Sequence, residues 1–205
     1  LVQEPVYFND GSGIRLTVAR FYSPTGRCIQ KPYGEDYRYD IIERYRHGEM
    51  MVADSIKIND SLRYETPKGK VVYGGGGIVP DIFVPIDTAG VTKFMIDGNR
   101  KSLIVKYSIK LADIYRAQLR EIKTVEQLDA LLNKMNLEKG YLEYAAANGV
   151  VPAPGEWEKS EFVVITQLKG LMGRNTQLDD DAFYPYILKI DNAMYPITGK
   201  PIQRN

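Results

Sequence analysis

Few side chains in this 205-residue sequence have the types and spacing that could do chemistry, and each has a structural alternative. His47 is the only histidine, so a Ser-His-Asp triad would have to use it, and zinc sites built on several histidines are excluded. It lies in Arg44-Tyr-Arg-His-Gly48, a polar setting that suits a solvated side chain. Cys28 is the only cysteine and could act as a nucleophile only beside a base; alone in an extended run it reads as a small buried hydrophobe. The glycines from Gly74 to Gly77 could cradle an anion with bare N–H groups. No Gly-Lys-Ser/Thr end follows them, and positions that need positive φ or close backbone approach account for the run. Asp179, Asp180 and Asp181 could ligate a hard cation, yet their adjacent spacing and the lack of a following glycine suit the start of a helix. Tyrosines and arginines interleave from Tyr22 to Arg46 as on a stacking surface for single strands. Acidic residues are mixed through the second half, and no recognition motif of the usual modules occurs, so no nucleic-acid partner is expected.

The elements that must position these residues fall into two textures. In Gly13 to Ala19, Ile14, Leu16 and Val18 alternate with Arg15 and Thr17, the pattern of a strand buried on one face. Ser23-Pro-Thr-Gly26 suits a type I turn, with a second strand expected from Arg27. Glu4 to Phe8 and the Asn9–Gly13 cluster predict a hairpin with the Gly13 strand. A helical turn over Tyr39–Tyr45, short strands within Met50–Ala53 and Ser55–Ile58, a turn at Thr66–Lys70 and a strand at Val71–Tyr73 follow. Ile78 to Pro85, broken by prolines, reads as the last β portion.

Beyond about Thr88 the pattern becomes helical. One helix is expected over Ser102–Arg120, with Ile104, Tyr107, Leu111, Ile114, Tyr115 and Leu119 at helical spacings. Thr124 and Gln127 form a capping box for the next. Leu137–Ala147 stops at Asn148-Gly149, and a further helix with Trp157, Val164, Ile165, Leu168, Leu171 and Met172 on one face ends at Gly173. A last one follows Asp181 with Phe183, Tyr186, Ile187 and Ile190. Four or five helices are expected in all.

The 27 basic and 26 acidic residues nearly cancel, so the net charge of +1 gives no long-range field for nucleic acid or an anionic membrane. There is no apolar run of about 18 residues to span a bilayer. The first residues lack a signal-peptide pattern and an initiator Met, which fits a piece of a longer polypeptide.

The run LTVARFYSPTGRCIQ (16–30), joined to the distant GGGGIVPD (74–81), resembles the C-terminal processing peptidases, also called carboxyl-terminal or tail-specific proteases, which are serine peptidases of the Ser/Lys type. In that family the strand and turn follow a Gly-Lys-Gly-x-Val-Gln segment, whose Lys is the general base and whose Gln orients that Lys. The resemblance makes Leu1-Val2-Gln3 the end of that segment and Gln3 a catalytic-site residue. The Lys would lie two positions before Leu1, with the nucleophilic Ser and a peptide-binding PDZ module further upstream. Without the family motif Gln3 reads as a solvated surface residue. With it the chemistry is coherent: a Ser needs a base, and a Lys serves near neutral pH only when its pKa falls. A neutral amide can accept from it without a carboxylate charge that would push the pKa back up.

The expected fold is therefore α+β: a β-rich partial catalytic core of antiparallel hairpins over 1–90, then an α-helical C-terminal region over 91–205. The resemblance implies a protein or peptide substrate, no metal or organic cofactor, and a cell-envelope or periplasmic location. It also implies that this chain alone is inactive. A β part without its other half is expected to expose an apolar edge and to associate with another chain, including a second copy. The competing expectation is a non-catalytic assembly or substrate-docking module with Gly98–Asn205 as its working surface.

Overall fold

The alternation around Ile14 produces the expected hairpin. In the computed structural model, which describes residues 1–199, strands β1 (Val2–Tyr7) and β2 (Gly13–Ala19) pair antiparallel. The tight end is set by Phe8 N–H to Ser12 O at 2.8 Å, by Gly11 at φ +83°, and by Asp10, whose carboxylate accepts from the Ser12 N–H and hydroxyl. Val6 stands opposite Ile14 and Glu4 opposite Leu16 on one face, while Gln3 opposite Thr17 and Pro5 opposite Arg15 share the other. The apolar face is not buried as the alternation predicts. Val6, Ile14, Leu16 and Val18 remain 42–53% exposed, because the sheet has only two strands and no other described element of the first unit covers that face.

The chain divides into two compact units, Leu1–Pro85 and Ile86–Asn205, with residues 200–205 of the expected helical region outside the described residues. The architecture is α+β, with two small antiparallel hairpins in the first unit and helices dominating the second. In the first unit the Ser23–Gly26 turn forms, closed by Gly26 N–H to Ser23 O, with Gly26 at φ +81°. No strand follows at Arg27. Helix α1 (Asp40–Arg46) takes the place of the expected helical turn. The strands expected within Met50–Ile58 are instead coil and a 3₁₀ turn at Ala53–Ser55. Strands β3 (Arg63–Glu65) and β4 (Val71–Tyr73) make the second hairpin around Thr66–Lys70. Ile78–Pro85 forms no strand; prolines at both ends leave too few donors for a ladder.

The second unit holds more helices than its sequence suggests. Its first is α2 (Lys93–Arg100), where Thr92 Oγ1 accepts from Met95 N–H and Glu156 Oε1 accepts from Lys93 N–H. The single helix expected over Ser102–Arg120 is two, α3 (Leu103–Ile114) and α4 (Arg116–Arg120), broken at Tyr115. Ile104, Tyr107, Leu111 and Leu119 are buried as expected, whereas Ile114 points outward. Helix α5 (Val125–Leu132) begins with Thr124 Oγ1 accepting from Gln127 N–H, but the Gln127 amide oxygen returns to Lys123 N–H, one residue before the expected partner.

Next come α6 (Leu137–Ala147), α7 (Glu156–Gly173), α8 (Asp180–Ile187) and the short α9 (Tyr195–Thr198). Helix α7 is the spine of the unit and packs on α2, α3, α5, α6 and α8. Close approach is built into the sequence: a Cβ at Gly173 would lie 3.0 Å from Ala182, and one at Gly140 would lie 2.2 Å from the Tyr107 hydroxyl. Phe94, Tyr107, Tyr141 and Trp157 join at ring separations of 5.9–6.3 Å, in tilted and edge-on geometries. With Leu128, Val164, Leu168 and Met172 they form the core.

Candidate functional site

Gln3 sits on β1 beside an irregularity in pairing between Val2 and Gln3, and its side chain is exposed. Its Nε2 donates to Thr17 Oγ1 at 3.3 Å. That bond engages the donor end of the amide. Among the described residues no hydrogen bond occupies its carbonyl oxygen, the end that would accept from a lysine ammonium. Thr17 was not singled out from sequence, although the hairpin register alone places it opposite Gln3.

The two sequence motifs, 16–30 and 74–81, meet in space. Gly75 N–H donates to Cys28 O and Gly77 N–H to Ile29 O, each at 2.8 Å. Gly75 and Gly77 have φ of +76° and +96°, and a Cβ at Gly74 would stand 2.8 Å from Cys28 O. Glycine is required there for both conformation and proximity. Three of the four run positions thus contact the Arg27–Ile29 segment or demand positive φ, and the same three donate their N–H groups to protein carbonyls, Gly74 to Leu62 O at 3.0 Å, rather than aiming them at a ligand. Arg44 draws the run further in, with Nη1 donating to Gly76 O at 3.4 Å and Nε pairing with Glu49 Oε2 at 2.7 Å. Asp81 pairs with Lys70 at 2.5 Å on the surface, where such a pair adds about 0–1 kcal/mol.

The remaining candidates take structural posts. His47 Nδ1 lies 2.8 Å from Glu43 O at the end of α1, on the surface. Cys28 is half-buried, with its carbonyl in the glycine-run contact. Among the described residues no hydrogen bond or ion pair joins Gln3 to His47, Cys28 or the glycine run. Three cations of the Tyr/Arg stretch are matched locally, Lys31 by Asp40, Arg44 by Glu49 and Arg46 by Glu43, which offsets part of the charge that a phosphate backbone would need. Asp180 pairs with Arg174 at 2.8 Å beside α8, and the described residues contain no group of three or more His, Cys, Asp or Glu side chains placed to hold a metal ion.

The helical unit contributes concave surface. A cavity of about 400 Å³ opens between α7 and the α5–α6 connection, and one of about 280 Å³ between α7, α5 and α8. Glu161, on the edge of both, has its carboxyl pushed above the ordinary range by burial and by the neighbouring Glu138 and Glu158 carboxylates. Nothing in the sequence singles Glu161 out; that neighbouring segments wall this face of α7 into a groove is visible only in three dimensions. No described helix is long and apolar enough to cross a membrane.

The model of a family of unknown function (DUF8443) matches residues 94–177, less than half of the chain and all of it within the helical unit. No curated protein and no solved structure matches the chain.

Proposed function

We propose that the chain is the C-terminal part of a C-terminal processing serine peptidase, an enzyme that cleaves protein substrates near their C-terminus through an acyl-enzyme. A Ser and a Lys preceding Leu1 supply nucleophile and base, and Gln3 orients the Lys. The observation that carries this reading is the meeting of its two signature stretches, with the glycine run bonded to Cys28 and Ile29. The amide of Gln3 adds support, since Thr17 takes its donor end and leaves its acceptor for a cation. The exposed apolar face of the first hairpin fits the same reading, as the surface on which the preceding half of the catalytic core, or another chain, packs. No metal or cofactor enters the mechanism, and the cell envelope is the expected site of action.

A peptidase assay tests this in two parts. The 205-residue chain alone should give no turnover of a fluorogenic peptide, whereas the same chain extended by its own upstream sequence should cleave it and lose activity when the Lys two positions before Leu1 becomes Ala. Turnover by residues 1–205 alone, or an upstream sequence without that Lys and a Ser before it, would remove the assignment.

A second reading applies to the helical unit. Its self-contained core and its groove along α7 favour a substrate-docking or assembly role that accompanies the chemistry.

A further inference from the structure

Glu158, Glu161, Ile165 and Lys169 recur every three or four residues on α7 and follow one face of the helix. The two cavities beside that face share Glu161, Ile165 and Lys169, so they are lobes of one groove. One wall is the Leu132–Glu138 segment. The other is Asp129 with Tyr186 and Lys189.

Its charge is sorted by position. Glu138, Glu158 and Glu161 gather toward the N-terminal end of α7, Lys169 and Lys134 lie toward the C-terminal end, and Lys189 follows α8 back along the groove. Among the described residues none of these six enters an ion pair. Glu138 is held by Trp157 Nε1 at 2.9 Å, and Lys169 reaches only the Asn133 amide oxygen at 3.4 Å. The one carboxylate at the basic end, Asp129, is taken by the Tyr186 hydroxyl at 2.7 Å. The raised carboxyl of Glu161 has the same origin, burial beside like charges with no ion pair among the described residues to offset them. Between the two ends the floor is apolar, at Ile165. Glu161 and Lys169 are eight residues apart on a helix, about 12 Å, which an extended chain covers in about four residues.

We propose that this groove docks an extended segment of a partner protein bearing a lysine or arginine and, about four residues away, a carboxylate. The cation lies among Glu138, Glu158 and Glu161, the carboxylate lies against Lys169 and Lys134, and an apolar side chain between them rests on Ile165. The inference rests on the docking reading of the helical unit and not on the peptidase chemistry.

The test uses the full 205-residue chain, ¹⁵N-labelled, titrated with acetyl-Lys-Ala-Leu-Ala-Glu-amide and followed by amide chemical shifts. Shift changes are expected along residues 158–169 and 132–138. Replacing the peptide's Lys by norleucine, or its Glu by Gln, should weaken Kd about two- to five-fold each, the range for partly exposed charge pairs. In the protein, Glu161→Gln and Lys169→Met should do the same, and pairing each with the matching peptide change should cost no more than either alone. The peptide series needs no protein variant, so it holds even if a variant fails to fold. Equal binding by the uncharged peptides, shifts confined to other surfaces, or no shifts up to several millimolar would overturn the proposal. Cleavage is read in a separate assay, so failed docking leaves the peptidase reading standing, and the reverse holds too.

Discussion

Among the described residues every buried apolar side chain lies beyond Ile86, while Leu1–Pro85 buries only Glu49, a polar residue held by Arg44. The difference is not one of composition. Val6, Ile14, Leu16, Val18, Phe21 and Tyr22 would serve a core, yet all are exposed. In the helical unit nineteen apolar residues are buried around α7. Apolar burial is the main favourable term in folding, and a two-stranded hairpin without a covering layer is marginal at best. The helical unit therefore carries its own stability, whereas the hairpin unit has an amphipathic pattern whose apolar half needs a surface from elsewhere.

The largest expected effect breaks the chain at that boundary. Residues 86–205 alone should unfold cooperatively in urea with a full helical circular-dichroism signal, and residues 1–85 alone should show no cooperative transition. A sharp transition in the isolated hairpin unit would contradict the comparison. Next in size are paired truncations. Leu128→Ala and Leu168→Ala, at fully buried positions, should each cost about 2–5 kcal/mol. Leu16→Ala, on the uncovered face, should stay within about 0.5 kcal/mol in this chain by the same denaturation.

Glycines sharpen the contrast at a smaller scale. Gly140→Ala places a methyl 2.2 Å from the Tyr107 hydroxyl and should destabilise by about 1–3 kcal/mol. Gly76→Ala meets nothing within 4 Å and should be near neutral. The smallest effect is confined to alkali. Burial lifts the Tyr141 hydroxyl from an ordinary pKa of 10.0 to about 12. The native state then holds a proton that the unfolded chain gives up, so its contribution is complete below pH 10 and is lost as pH rises from about 10 to about 12. Urea midpoints across that range, followed by Trp157 fluorescence, should fall, and Tyr141→Phe should flatten part of the fall.

What the sequence disclosed tracks the same divide. Helices α5, α6 and α7 were legible because cap, periodicity and stop signal coincide: Thr124 before Val125, Gly149 after Ala147, an apolar stripe from Trp157 to Met172. Helix α2 was not. Asp97, Gly98 and Asn99 are weak helix formers, and the helix is fixed by the Thr92 cap and by Phe94 packing against Tyr141 and Trp157. The break at Tyr115 escaped because helical spacing runs unbroken through it. In the hairpin unit the alternation of Ile14, Leu16 and Val18 marked the strand and its antiparallel hairpin, but burial depends on a partner that a pattern cannot supply. For the candidate site, Gln3 rested on motif likeness, and only the fold shows Thr17 holding its amide and the glycine run bonded to Cys28 and Ile29.

The proposed role of Gln3, positioning a lysine base, is tested most directly by the pH dependence of kcat/KM for the upstream-extended protein. Gln3→Glu places a carboxylate beside the base and raises its pKa. The limb on which activity grows with pH should then move to higher pH, and Thr17→Val should lower kcat with the limb nearly in place. A profile unmoved by Gln3→Glu, with kcat equal to that of the unaltered protein, would contradict it.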